Sequence, residues 1–185
     1  MLINEFLQDK MIIILQNAAN YDVKFPKDCV FRINLAWCNS LDELKDILKK
    51  HEGREMFIDL LIDRIKPPNN RYSLNELIPI IWDNEQIKYF AVSNVETAND
   101  LTQFHESIPE RVTIVPKIES PKAIQNIQEI TDALNCAKKY VMLDHDIFFQ
   151  QLSRIMKVMT HFKIISRNWL ISVKRMIFQF FVLWV

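Results

Sequence analysis

From Cys29 onward, the spacing of apolar residues switches back and forth between a strand period and a helix period. C-V-F-R-I-N-L-A-W reads as a strand. In the stretch S-L-D-E-L-K-D-I-L-K-K-H-E-G that follows, Ser40 and Glu43 make a capping box and Leu41, Leu44, Ile47 and Leu48 form an apolar stripe, with Gly53 closing the helix. A second strand, E-M-F-I-D-L-L-I-D, runs into R-I-K-P-P-N-N-R-Y, whose prolines and asparagines mark a loop. Ser73 and Glu76 then cap a helix to about Trp82, which Pro79 is expected to kink or shorten. The third strand is I-K-Y-F-A-V-S-N, with V-E-T-A-N-D-L-T-Q-F-H as its helix. The fourth is R-V-T-I-V-P-K-I-E, followed by Ser120 as N-cap, Pro121 at the first helical position, and A-I-Q-N-I-Q-E-I-T-D-A-L. Y-V-M-L-D is the fifth. Before all of these, residues 1–28 read as a helical leader with a broad apolar side, ended by the segment from Asp22 to Pro26.

Five strands alternating with helices, with no room for hairpins, imply a parallel sheet with right-handed crossovers. The expected class is therefore α/β, as a partial (β/α)8 barrel spanning residues 29–153. Polar residues gather at the C-terminal ends of the strands: Arg32 and Asn34, Asp59, Ser93, Lys117 and Glu119, Asp144 and Asp146. Barrels of this kind place their active sites at that end. Side chains two apart on a strand share a face, so Lys117 points with Glu119, and Asp144 with Asp146, which outlines a divalent-metal pocket.

Composition narrows the partners. Lys plus Arg and Asp plus Glu both number 23, giving zero formal net charge, and no basic run suggests nucleic acid. A small molecule is the expected partner, and a homo-oligomer is compatible with the pattern. Cys29, Cys38 and Cys136 are odd in number and lack metal-type spacing, so they read as reduced thiols in a cytoplasm. The apolar run from Met11 to Leu15 lacks the flanks of a signal peptide. Gly53 is the only glycine, so turns must be made by Asn, Asp, Pro and Ser.

From Val30 to about Gln150 the strand-end motifs, taken in order, resemble the pyruvate kinase catalytic barrel and its phosphoenolpyruvate/pyruvate-domain superfamily, which includes HpcH/HpaI-type aldolases and citrate lyase β subunits. F-R-I-N-L-A-W is similar to the kinase's R-x-N-F-S-H strand, F-I-D-L to the strand carrying its next aspartate, and Y-F-A-V-S-N-V-E-T to its F-A-S-F-I-R strand. V-P-K-I-E-S is similar to its K-I-E motif and V-M-L-D-H-D-I to its V-A-R-G-D-L. The resemblance implies that Glu119 and Asp146 hold Mg2+ or Mn2+, and that Lys117 neutralises charge on an enolate or transferring group. It implies that Arg32 and Arg64 bind the carboxylate or phosphate of the substrate, with Ser93 at the same rim, and that Asn34 and Asp59 stand where the kinase binds a monovalent cation. Hard oxygen ligands suit Mg2+, which can stabilise an enolate formed when a bond beside a carbonyl breaks.

The chain departs from the kinase in having no lid domain inserted after the second strand, no G-P-E-I-R, no glycine before Asp146 and no regulatory C-terminal domain. The resemblance thus implies a compact relative, a lyase or aldolase acting on a 2-oxo acid, although such aldolases usually lack a lysine where Lys117 stands. Bland readings stand beside these. Glu119 and Asp146 also suit strand-end carboxylates that cap helices, and Lys117 an ion pair with Glu119. Asp144 reads as a supporting or structural residue, and His145, between two aspartates, faces away from them along a strand. Cys38 reads as a small buried residue, and Trp37, Phe31 and Phe57 as core.

After Gln151 acidic residues vanish and no helix period holds. The run from Trp169 to Val185 is shorter than the ~20 apolar residues a membrane span needs, and Lys174 and Arg175 interrupt it. A shifted codon reading from Ile155 permits an amphipathic helix followed by a strand; Met156 then Lys157 forces a glutamate, and Met159 then Thr160 an aspartate. Residues 154–185 are therefore expected to be a frameshift product that truncates the barrel, which takes ~250 residues when whole. The alternative to a truncated enzyme is a non-catalytic fragment or binding module that associates through this apolar tail.

Overall fold

The computed structural model describes residues 14–16, 29–60 and 72–143. Six strands lie in sequence order, each parallel to the next: β1 (Ile14–Gln16), β2 (Val30–Asn34), β3 (Met56–Leu60), β4 (Ile87–Val92), β5 (Thr113–Ile118) and β6 (Met142–Leu143). Helices α1 (Leu41–Lys50), α2 (Leu74–Asp83), α3 (Thr102–Ser107), α4 (Pro121–Gln125) and α5 (Ile127–Asp132) lie between successive strands from β2 to β6. The strands curl into a half-barrel, and the fold is the α/β partial barrel that the alternating pattern predicts.

The strands are apolar on both faces because both are covered. Phe31 and Ile33, Met56, Ile58 and Leu60, Phe90 and Val92, and Ile114 and Ile118 are buried on one side. Phe31 meets His51 just past α1, and Phe90 meets Phe104 of α3, which identifies this side as the helix side. In a parallel ladder, paired residues share a face, and Arg32 pairs with Phe57, Phe57 with Tyr89, Asp59 with Ala91, and Ala91 with Val115. The opposite face therefore holds Val30, Phe57, Ala91 and Val115 as one buried cluster, with Tyr89, Tyr140 and Met142 packed on it.

Helix starts follow the capping residues. Ser40, Ser73 and Ser120 each accept a hydrogen bond from the backbone N–H three residues on, at Glu43, Glu76 and Ala123. At α2 the box is reciprocal, since Glu76 accepts from the N–H of Ser73 at 2.8 Å. At α1 the Glu43 carboxylate instead accepts from the N–H of Asn39, one residue earlier, at 2.7 Å. Gly53 takes φ 81°, the left-handed conformation that turns the chain after α1. Pro79 lies inside α2, which nevertheless runs on to Asp83.

Three expectations are corrected. Ile14–Gln16 is a strand paired with β2, where a continuous leading helix was expected. A short apolar run fits a buried parallel strand as well as a helix face, and its isoleucines favour the strand. Trp37 is 59% exposed, not core, because β2 ends at Asn34 and a 3-10 turn over Leu35–Trp37 breaks the alternation, burying Leu35 and turning Trp37 outward. The long helix expected after Ser120 is broken at Asn126 into α4 and α5. Arg64, Asp144, His145, Asp146, the rest of the leader and the tail after Gln151 lie outside the described residues. Among the described residues, no helix is long and apolar enough to cross a membrane.

Candidate functional site

The face opposite the helices ends, at the C-terminal ends of its strands, in five buried polar residues: Arg32, Asp59, Ser93, Lys117 and Glu119. The strand period brings them there. Arg32 is two residues beyond Val30, Asp59 two beyond Phe57, Ser93 two beyond Ala91, and Lys117 two beyond Val115, so each follows a member of the apolar cluster on its own strand. The polar rim thus rests on an apolar floor.

The four ionised residues form a line of alternating charge. Arg32 donates from Nε to Asp59 Oδ2 at 3.1 Å, and its Nη2 donates to the same oxygen. Lys117 Nζ lies 3.8 Å from Asp59 Oδ1 and 3.1 Å from Glu119 Oε1, and it donates to Ser93 Oγ at 3.4 Å. Ser93 in turn donates to the carbonyl of Leu60 at 3.3 Å. Glu119 Oε2 accepts from the backbone N–H of Asn94 at 2.8 Å. Among the described residues the formal charges of the group sum to zero; an unmatched buried charge there would be strongly opposed.

Sequence reasoning placed Arg32, Ser93, Lys117 and Glu119 at one rim, and the structure brings these four together. Asn34, also expected at the site, is half-buried at the end of β2, and its Oδ1 accepts from the N–H of Ala36 at 3.0 Å, capping the 3-10 turn. Arg64 and Asp146 lie outside the described residues. Asp59, expected at the rim as well, is the hub between Arg32 and Lys117, with 0% exposure. Its neighbours on the sheet could have signalled this, since β2 and β3 pair with Asn34 level with Asp59, which puts Arg32 one step below. Asn94 also escaped notice. It takes φ 55°, an uncommon conformation outside glycine, at the position from which its N–H meets Glu119.

Behind the rim, Glu96 fastens the end of β5. Its carboxylate accepts from Ser120 Oγ at 2.8 Å and Lys122 Nζ at 3.0 Å, and its carbonyl accepts from Asn126 Nδ2 at 2.8 Å. These bonds, from Lys122 first and then Ser120, hold the Glu96 carboxyl below its ordinary pKa. On the other side, Cys38 is buried, with Sγ donating to the carbonyl of Ser40 at 3.3 Å, and burial pushes its thiol pKa up. It is an inert residue in this setting.

The arrangement places two cations, Arg32 and Lys117, and two carboxylates, Asp59 and Glu119, at a sheltered rim. Arg32 Nη1 makes no hydrogen bond among the described residues, so one edge of the guanidinium is left for an anionic group. Glu119 is the hard oxygen donor of the group. Among the described residues, no cluster of three or more His, Cys, Asp or Glu side chains could hold a metal ion.

No family model matches the chain, and no curated protein matches it. Among solved structures, it is similar to RipC from Yersinia pestis, with 13% identity and a TM-score of 0.48 over 76% of this chain and 60% of RipC. It is also similar to pyruvate kinase from Pyrobaculum aerophilum, with 15% identity and a TM-score of 0.45 over 70% of this chain and 48% of the kinase. The chain therefore spans about half to three-fifths of the length of these structures.

Proposed function

We propose that this rim is the active site of an enzyme of lyase or aldolase type, which acts on a 2-oxo acid through its enolate with the help of Mg2+ or Mn2+. The observation that supports it is the buried line Arg32, Asp59, Lys117, Glu119, set at the strand ends where barrel enzymes work. A buried ion network of this kind adds little to stability over apolar packing, so function is the more economical reason for it. The order of the motifs along the chain adds the resemblance to the phosphoenolpyruvate/pyruvate-domain superfamily.

In this reading the Arg32 guanidinium takes the substrate carboxylate on its uncommitted edge. Lys117 holds its ammonium toward the oxygen on which negative charge develops, and the apolar layer of Phe57, Ala91 and Val115 excludes water from below. A divalent cation, when bound, supplies Lewis-acid stabilisation of that oxygen. Glu119 is the carboxylate here that suits such an ion, whereas Asp59 is already engaged by Arg32 and faces Lys117. The present occupancy conflicts with it, because Lys117 already holds Glu119 Oε1. Asp146 is the second ligand proposed.

The test is exchange of the pyruvate methyl protons in D2O, followed by proton NMR with the full 185-residue chain and added Mg2+ or Mn2+. Exchange reports enolate formation without requiring the second substrate. Metal-stimulated exchange, reduced on the order of 100-fold by Glu119→Gln, is expected. Absence of both exchange and Mn2+ binding would overturn the enzyme reading in favour of a non-catalytic module.

A further inference from the structure

Ser93 comes one step after Val92, which pairs with Leu60 on β3 and with Pro116 on β5, and Lys117 comes one step after Pro116. The register thus sets the serine beside the lysine, and both are buried, at 7% and 1% exposure. Ser93 Oγ lies 3.3 Å from the carbonyl oxygen of Leu60 and 3.4 Å from Lys117 Nζ. A carbonyl oxygen only accepts and an ammonium only donates, so the hydroxyl between them has one possible polarity. Its single proton goes to Leu60, and a lone pair faces Lys117. With that proton committed, Ser93 has no donor left for an oxygen of a substrate.

The ammonium is drawn to Glu119 Oε1 at 3.1 Å and towards Asp59 Oδ1 at 3.8 Å. Attraction between charges sets distance more than direction, and Lys117 carries its charge on a flexible four-carbon stem. A hydroxyl oxygen held by the backbone of the neighbouring strand adds a directed acceptor and no charge. We propose that Ser93 is a positioning residue: anchored on the Leu60 carbonyl, its hydroxyl aims the Lys117 ammonium and does not itself hold the substrate. This rests on the reading of Lys117 given above, as the cation that meets the oxygen on which negative charge develops. Because Ser93 is neutral, its removal leaves the ion pairs of the rim intact and changes only how the ammonium is aimed.

The experiment follows the Lys117 Nζ–H resonance by 15N NMR in the full 185-residue chain, assigned by its loss in Lys117→Arg. In Ser93→Ala the resonance should move and its hydrogen exchange with water should rise about tenfold, whereas Ser93→Thr, which keeps the hydroxyl, should restore exchange to within about twofold of wild type. An unmoved resonance in folded Ser93→Ala overturns the proposal. So does Ser93→Thr moving it as far as Ser93→Ala, which would make Ser93 a residue that only closes β4 onto Leu60. Because Ser93→Ala also strips the Leu60 carbonyl of its donor and can disturb the strand end, one measurement uses the wild type alone. There, nuclear Overhauser contacts should run from the Lys117 Nζ protons to the Ser93 β-protons; their absence, or an ammonium that exchanges as fast as surface lysines, overturns the proposal. In the pyruvate proton-exchange assay, Ser93→Ala should lower the saturated rate about tenfold and leave the half-saturating pyruvate concentration within about twofold of wild type. A raised half-saturation at an unchanged rate would make Ser93 a substrate contact and overturn the proposal. No exchange by the wild type sinks the enolate reading by itself, and the Lys117 resonance then decides the role of Ser93 alone.

Discussion

Arg32 on β2 and Asp59 on β3 are joined by two N–H groups of one guanidinium on a single carboxylate oxygen, with Asp59 sealed completely from solvent. Removing one partner leaves the other buried and charged. Arg32→Met is therefore expected to lose about 3–5 kcal/mol in urea unfolding followed by tryptophan fluorescence. Arg32→Met combined with Asp59→Asn should recover most of that loss, because the stranded carboxylate is gone. If the two single losses simply add in the double variant, the pair is not the coupled unit described here.

Asn94 gives the rim a backbone donor through a strained conformation. Its φ of 55° aims the N–H at Glu119 Oε2, and a residue without glycine's freedom or asparagine's tolerance pays for that angle. Asn94→Gly keeps the angle and the N–H and is expected to be more stable than Asn94→Ala. Asn94→Ala should lose about 1 kcal/mol and Asn94→Val more, both read from urea midpoints. A valine variant as stable as the glycine one would show that the conformation is not required.

Glu96 links pH to the anchoring of β5. Its carboxyl is held below the ordinary value of 4.5, chiefly by hydrogen bonds from Lys122 and Ser120. A depressed folded-state pKa contributes stability that is present above the unfolded value and is lost as pH falls through the folded one. Glu96→Gln should therefore lower stability at pH 7, by about 1 kcal/mol for a pair this exposed. The gap between wild type and variant should stay constant down to about pH 5 and close below 4.5. Thermal unfolding at a series of pH values measures it, and a gap that widened in acid would contradict the assignment.

Much of this fold is legible in the chain because local signals and burial agree. Ser40, Ser73 and Ser120 cap where the apolar stripes begin, and the runs around Phe31, Ile58, Phe90 and Val115 are buried on both faces, as a parallel sheet requires. The adjacency of Lys117 and Glu119 is also legible, since it follows from the two-residue period alone. What escaped were features set by register and by single side-chain contacts. Asp59 is a hub because it lies level with Asn34 on β2 and, through Ala91 on β4, with Val115 on β5, between Arg32 and Lys117, and Asn126 breaks its helix where its amide donates to the carbonyl of Glu96, thirty residues away in sequence. Ile14–Gln16 and Trp37 were misread because short apolar runs and strand ends carry no period long enough to tell one state from another.

Arg111 holds the base of the same strand. α2 has no basic residue in its last turn, and Arg111, two residues before β5, supplies the missing cation from elsewhere in the chain. Its Nη2 donates to the carbonyls of Ile81 at 2.5 Å and Trp82 at 2.9 Å, with Asn84 at 3.4 Å, where the helix dipole is negative and carbonyls lack partners. Arg111→Met should cost about 1–2 kcal/mol in urea unfolding, and Arg111→Lys less, because a lysine keeps the charge and the contacts here come from one nitrogen, Nη2. Amide exchange should rise first in the last turn of α2 and at the start of β5, leaving α1 protected. A loss below about 0.5 kcal/mol, the size of an ordinary surface substitution, would show that the contact is incidental.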